Sequence, residues 1–535
     1  MYLIDQNAKQ IMEGCKAKAK AAGLDFFNET LEYIVTNRDM INLSPKVMIP
    51  TLYDYWVHDV EVLQGEGKYK LYPANPYETV INSRPAISFY NDNNPDWLNI
   101  MIFYHVIGHI DFFQNNILFE HTWNDDFVGV ALSDKRLIES LRNKYSRWVD
   151  YIIEFSRSID NITGYFNLLS RLSYPHNMDA DDKTMYFFNT FLQDIAKAPM
   201  AEIYNLKEAY NSLLDSNGDV GKSMFFSDVK IKYPEFESYF SKYSGRDQND
   251  DDILKFLQDN SPFLKKDENK WMKQVMTIIR NTAMYFAPQI RTKILNEGWA
   301  SYWHDKLFIA DKRIKGHEVD YARINAGVTS ISRIGLNPYA IGLRLYQHIE
   351  HLAEKGKLSW DYQILNNEEQ REIYNKRTGK GKNTIFDIRK NFSDFGFINT
   401  FVDQDFVNTY NLFVVGKRLN EESGVFEYYI KSRKAEDYKQ MLLDSLYHPP
   451  LIKISKDKTD EKNLYLVHHF EGKQLVKDFI PDVLTGLEFL WGNQVQLETT
   501  EILRTKDEKN PGQIRFIQRK VLYTCRNKQI SKSEI

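Results

Sequence analysis

Apolar positions recur every three or four residues through most of the chain up to residue 382, and this spacing predicts a succession of helices. Residues 5–23 read as one amphipathic helix, stopped near Gly23. Asn94–Asn116 reads as another: Asn94 suits the N-cap, Pro95 the first turn and Asp96 the positive end of the helix dipole. The stretch 133–174 and several segments between residues 189 and 286 continue the pattern, with DSNGDVGK and SGRDQNDDD reading as polar loops. A helix opening near Pro288 carries the stripe Ile290, Ile294, Glu297, Ser301, His304 and Phe308. A further one opens at Asn337-Pro338 and runs to a stop at Gly356. Strand signals are sparse in this part. YETVINSRPAISFYND, residues 77–92, is β-branched and aromatic around Val80 and Ile81 and predicts a strand or two beside the Asn94 helix, while TLYDYWVHDVEVLQGEGKYKLYP reads as short helices and strands.

Residues 357–382 form a charged connector, and beyond it the texture changes. Short β-rich segments (LFVVGKRL, VFEYYIKS, LIKISK, NLYLVHHF) alternate with helical ones (KAEDYKQMLLDSLY, FIPDVLTGLEFLWG). After Lys506 a final strand, IRFIQRKVLYTC, is expected, followed by a disordered end. The fold class expected is therefore a mainly α N-terminal domain, residues 1–382, followed by a smaller α+β domain, residues 383–535.

Composition narrows the function classes. With 69 Lys+Arg against 73 Asp+Glu the net charge is −4, and no basic block is long enough to track a phosphate backbone, so nucleic acid is not an expected partner. Cys15 and Cys525 are too few for a disulfide framework or a thiolate cluster, which fits a reducing cytosol. No window is long and apolar enough to suggest a membrane span, and the first residues lack the apolar core of a signal peptide.

The chemistry concentrates on two helices. His105 and His109, four residues apart, share one helix face with Ile102, Phe112 and Asn116, so both imidazoles point the same way and can hold one metal ion. A third ligand must come from elsewhere. Glu297 sits on an apolar stripe, where a carboxylate costs several kcal/mol unless it is paired, protonated or bound to a metal. The set His105, His109 and Glu297 offers two imidazoles and a carboxylate, a donor set that suits a divalent metal, zinc above all, with a coordination position left open. ILNEGWA, around Glu297, resembles the third-ligand helix of gluzincin metallopeptidases, and the two helices together would form a gluzincin-like pair. The partner helix of those enzymes reads His-Glu-x-x-His, its Glu acting as general base; here that position is Val106. Candidate catalytic replacements are His304, two turns beyond Glu297 on the same face, and Glu154 on an aromatic-rich helix. Asp111, on another face, suits a supporting role, and Tyr339 is a weaker functional candidate. His468 and His469 are neighbours in an expected strand and face opposite sides. The opposing interpretation makes His105 and His109 hydrogen-bonded core histidines and pairs Glu297 with His304 or an arginine.

HVIGHIDFFQNN, ILNEGWASYWH and INAGVTSISRIGLNPYAIG together resemble the signature blocks of the SpoVR (stage V sporulation protein R) family, and the similarity extends through NTIFDIRKNFSDFGFINTFVDQDF to FLWGNQVQLET. The resemblance implies a cytosolic protein linked to spore-cortex peptidoglycan that shares a complex or pathway with a PrkA-type AAA+ protein and a YhbH-type protein. The chain departs from the family's pattern at Asn325, where many members carry His. Two functions follow as expectations: a metal-dependent hydrolase acting on an amide or peptidoglycan-related bond, or a non-catalytic regulatory adaptor.

Overall fold

A computed structural model describes residues 2–36, 78–122, 126–163, 165, 182–196, 198, 200–244, 252–332, 335–363, 365, 367–420, 424–447, 449–470, 472–506 and 514–535. TLYDYWVHDVEVLQGEGKYKLYP, most of SGRDQNDDD and the end of the 133–174 stretch lie outside these residues.

In chain order, the elements that build the molecule begin with β1 (Tyr2–Leu3), α1 (Gln6–Ala21), β2 (Thr30–Val35), β3 (Glu78–Ile81), β4 (Ala86–Asn91) and α2 (Asp96–Asn115). There follow α3 (Phe127–Tyr145), α4 (Trp148–Thr163), α5 (Met200–Lys232), α6 (Ile253–Asn260), α7 (Lys270–Arg291), α8 (Lys293–Ile309), α9 (Glu318–Val328) and α10 (Pro338–Lys355). Then come α11 (Gly381–Asn391), α12 (Asp394–Phe401), β5 (Val414–Leu419), β6 (Phe426–Ser432) and α13 (Ala435–Ser445). The last are β7 (Ile452–Ile454), β8 (Asn463–His468), α14 (Ile480–Trp491), β9 (Gln494–Lys506), β10 (Ile514–Arg526) and β11 (Gln529–Glu534). The chain is mostly helical, with a strand-containing C-terminal region.

Several boundaries differ from the sequence expectation, each for a local reason. Helix α2 begins at Asp96 with Pro95 in the cap position, and the Asn94 side chain, buried, does not cap it. The 133–174 pattern is broken by Ser146, whose φ of 53° is left-handed and separates α3 from α4. DSNGDVGK is not an eight-residue loop: helix continues up to Gly218 and resumes directly after it, and that glycine alone takes a non-helical φ of 54°. Pro288 lies in the last turns of α7, so the glutamate-bearing helix starts later, at Lys293, where the Asp394 carboxylate accepts from the N–H groups of Ile294 and Leu295, both at 2.9 Å. The expected disordered end after IRFIQRKVLYTC is instead strand β11, paired antiparallel with β10.

Strands β2 and β4 pair in parallel in the sheet β1-β2-β4-β3, and β4 lies against α2, with Tyr90 edge-on to Phe103 at 4.6 Å. The large core around α2 gathers Met12 of α1, Trp299 of α8, Tyr346 of α10, Ile388 of α11, Phe397 of α12 and Leu442 of α13. A second core joins α3, α4, α6 and α7 to α14 and to the five-stranded sheet β11-β10-β9-β8-β7. In the centre of the first core every residue of α2 from Ile100 to Phe113 is buried, which is why its sequence is apolar on all sides rather than striped.

Candidate metal centre

The site is made where α2 and α8 run antiparallel in close contact. Gly108, between the two histidines, lies so near α8 that a Cβ there would stand 2.7 Å from Ala300 Cα. On the far side of α8, a Cβ on Gly298 would stand 2.4 Å from the backbone of Gly342 on α10. Small residues at these positions let three backbones approach and set Glu297, next to Gly298, opposite His105 and His109.

The three side chains offer ligand atoms that all lie within 4.8 Å of one another. Glu297 Oε2 is 3.5 Å from His109 Nε2 and 3.7 Å from His105 Nε2. Those separations are long for hydrogen bonds, which cluster at about 2.7–3.2 Å. They are close to the edge of a tetrahedral ion whose ligands stand about 2.0–2.1 Å away, roughly 3.3 Å between donors. Glu297 Oε2 is itself buried without a hydrogen-bond partner. A carboxylate oxygen held out of water and directed between two imidazole nitrogens fits a divalent cation better than a core ion pair.

The other ring nitrogens are occupied. His109 Nδ1 lies 2.8 Å from Asn296 Oδ1, an obligate acceptor, so Nδ1 carries the proton and Nε2 presents its lone pair toward Glu297. His105 Nδ1 lies 2.8 Å from His304 Nδ1, and His304 Nε2 lies 3.0 Å from Asn325 Oδ1. Burial pushes the His105 imidazole down to about 3, with His109 and His304 adding to the depression against the pull of Glu297. Burial lowers His304 as well. Neutral imidazole is the form a metal takes. For Glu297, burial acts to raise the carboxyl, but polar contact with His105, the electrostatic pull of His109 and His105, and a hydrogen bond from Tyr339 outweigh it and hold it below the usual carboxylate range. Tyr339 also stacks on His105, ring centroids 6.0 Å apart, and it is delivered by α10, whose N-cap Asn337 accepts from the N–H groups of Tyr339 and Ala340.

The sequence blocks that carry these residues fall within a single family match. The profile described as "SpoVR like protein" matches residues 5–448. The chain belongs to the SpoVR family. Its similarity to a curated SpoVR-family relative, the "Uncharacterized protein YcgB" of Escherichia coli (strain K12), is 23% identity over 507 residues, 90% of this chain and 89% of that protein. No solved structure matches. The matched region ends just beyond Leu442, the last residue of the core that holds the metal-capable group, so the SpoVR match takes in the whole of that core.

Of the residues singled out from this SpoVR sequence, His105, His109, Glu297 and His304 come together, and Tyr339 joins them. His304 does so with both nitrogens engaged, which leaves it no lone pair for a metal. Glu154 goes elsewhere: it is on α4, packed in the second core, with its side chain 61% exposed and 3.8 Å from Arg157. Asp111 braces the helix pair, accepting from Asp25 N–H and Trp299 Nε1–H, each at 2.7 Å. His468 is buried in the C-terminal sheet against Thr499 at 2.8 Å. Asn296 was missed from sequence, and Asn325 was noted there only as a departure from the family's pattern, with no role given to its side chain. Asn296 adjoins Glu297 in the NEGWA block and could have been found there; for Asn325 no spacing signal exists, because α9 meets α8 only in three dimensions. Among the described residues no helix is long and apolar enough to cross a membrane.

Proposed function

We propose that this SpoVR-family protein binds one divalent metal ion, zinc by its donor set, through His105 Nε2, His109 Nε2 and Glu297, and uses it to hydrolyse an amide or peptidoglycan-related bond. The observation that carries the proposal is the buried Glu297 oxygen lying 3.5 and 3.7 Å from two imidazole nitrogens, one of them fixed by Asn296 as the bare ligand tautomer. Two histidines at i and i+4 on one helix and a glutamate on an antiparallel neighbour support a gluzincin-like helix pair. When bound, the metal would supply Lewis acidity at the coordination position that three protein ligands leave open.

The chain's own groups have separable tasks. Asn296 orients His109; Tyr339 holds Glu297 by its hydroxyl and covers His105 with its ring. The α2–α8 contact, closed by Gly108 and Ala300, keeps water from the back of the centre. Position 106, which supplies the base in peptidases of the gluzincin type, is a fully buried valine. That observation favours a second reading, a non-catalytic cytosolic adaptor acting with a PrkA-type AAA+ protein and a YhbH-type protein, in which the His/His/Glu cluster serves structure alone.

Incubation of zinc-loaded protein with muropeptides, followed by mass spectrometry, separates the two. The hydrolase reading expects new fragments that vanish on chelation and in Glu297→Gln. An intact substrate pool at full metal occupancy leaves the adaptor reading in its place.

A further inference from the structure

The metal-centre reading leaves one requirement open. His109 has its tautomer set by an amide oxygen, but His105 faces another imidazole, and a pair of imidazoles can share a proton either way round. Which nitrogen of His105 is bare decides whether it can serve as a ligand at all.

The answer lies two residues further out. Asp305 Oδ1 accepts from Asn325 Nδ2 at 3.1 Å and from the Tyr321 hydroxyl at 2.6 Å. A carboxylate only accepts, so it must face the amide nitrogen of Asn325, and the amide oxygen is turned to His304. That oxygen, 3.0 Å from His304 Nε2, requires the proton to be on Nε2. Neutral His304 then has only a lone pair on Nδ1, so across the 2.8 Å contact the proton belongs to His105 Nδ1. His105 Nε2 is left bare, on the side where Glu297 lies 3.7 Å away. We infer that Asp305, Asn325 and His304 are a positioning relay that fixes His105 as the Nδ1-protonated tautomer, doing through three residues what Asn296 does for His109 in one. The relay rests on the metal-centre reading for its purpose, but its geometry exists without metal. It also explains a buried histidine that has no free nitrogen for catalysis: His304 is an orienting group.

The relay is readable in the metal-free protein. Nitrogen NMR of selectively ¹⁵N-histidine-labelled full-length chain, with His105 assigned through His105→Gln, reports which nitrogen carries the proton. Nδ1–H with bare Nε2 in wild type, turning to a mixture in Asn325→Leu, is the expected result; Nε2–H on His105 in wild type overturns the relay. Zinc affinity, measured by competition with a chromophoric chelator, is expected to fall by ~10–100-fold in Asn325→Leu. Cobalt substitution adds a spectroscopic check, since a wild-type ligand-field spectrum in Asn325→Leu would mean that the amide has no positioning role. Wild-type protein that binds no zinc defeats the metal-centre reading, while the tautomer measurement still decides the relay; wild-type binding with unchanged affinity in Asn325→Leu defeats the relay alone.

Discussion

Replacing Gly298 by alanine tests whether close backbone contact, rather than ligand identity alone, makes the centre. The new Cβ would stand 2.4 Å from Gly342 C and Cα and 2.9 Å from Gly342 O, all backbone atoms that no rotamer change can clear. Carbon atoms rest at about 3.5–4.0 Å, so α8 and α10 must part locally by roughly 1 Å. Overpacking of this kind costs about 1–3 kcal/mol. Glu297 is the next residue, and a metal site tolerates donor displacements of only about 0.2 Å. The substitution is therefore expected to lower the urea midpoint without changing the m-value and to weaken zinc binding by ~10-fold or more. Gly327→Ala is the matched control: it lies within α9, nothing stands within 4 Å of its added Cβ, and it is expected to leave zinc affinity unchanged and to raise stability by about 0.4–1 kcal/mol. If Gly298→Ala matched wild type in both midpoint and affinity, the contact argument would be refuted.

Three further outcomes are expected. Asp111→Ala leaves the Asp25 and Trp299 N–H donors and the Arg389 guanidinium, 3.5 Å away, without their shared acceptor inside the core, and should cost about 3–5 kcal/mol in denaturant unfolding; a loss under about 1 kcal/mol would contradict that role. Glu501, on β9, receives Lys477 and Lys532 at 2.7 Å and the Tyr523 hydroxyl; burial works against its charge, yet these partners hold it down to about 2. Because its folded pKa lies below the unfolded value, its contribution is complete above about pH 4.5 and is lost as pH falls toward 2; Glu501→Gln should cost about 1.5–3 kcal/mol at neutral pH and much less at pH 2, whereas an equal loss at both would exclude the linkage. Glu154→Gln, on the exposed face of α4, should leave zinc stoichiometry and affinity unchanged, and weaker binding would return that residue to the site.

How far the sequence was legible depended on whether the signal was local. The cap at Asn337, the αL stop at Gly356 and the strands β5, β6, β7, β8 and β10 follow from adjacent residues and stand as expected, whereas β9 and β11 were not anticipated. The i, i+4 spacing of His105 and His109 and the buried carboxylate at Glu297 were equally legible, because an ionisable side chain on an apolar stripe demands a partner wherever that partner lies. Helix ends were less so. Pro288 reads as a helix start, yet it closes α7, since the true start of α8 is set by Asp394, a residue a hundred positions away. Asn325 and Asp305 escaped for the same reason: their significance is a hydrogen-bond direction between α9 and α8, which no periodicity encodes. Glu154 lies on the exposed side of its helix together with Trp148 and Tyr151, so the aromatic texture around it does not mark a cleft.

The central claim is that His105, His109 and Glu297 hold one divalent ion. Elemental analysis of purified, zinc-exchanged protein tests it most directly, read alongside His109→Ala and Glu297→Gln prepared identically. The account predicts roughly one equivalent of metal in wild type and loss of most of it in both variants, with their far-ultraviolet circular dichroism retained. Less than about half an equivalent in wild type, unchanged by His109→Ala, would contradict it.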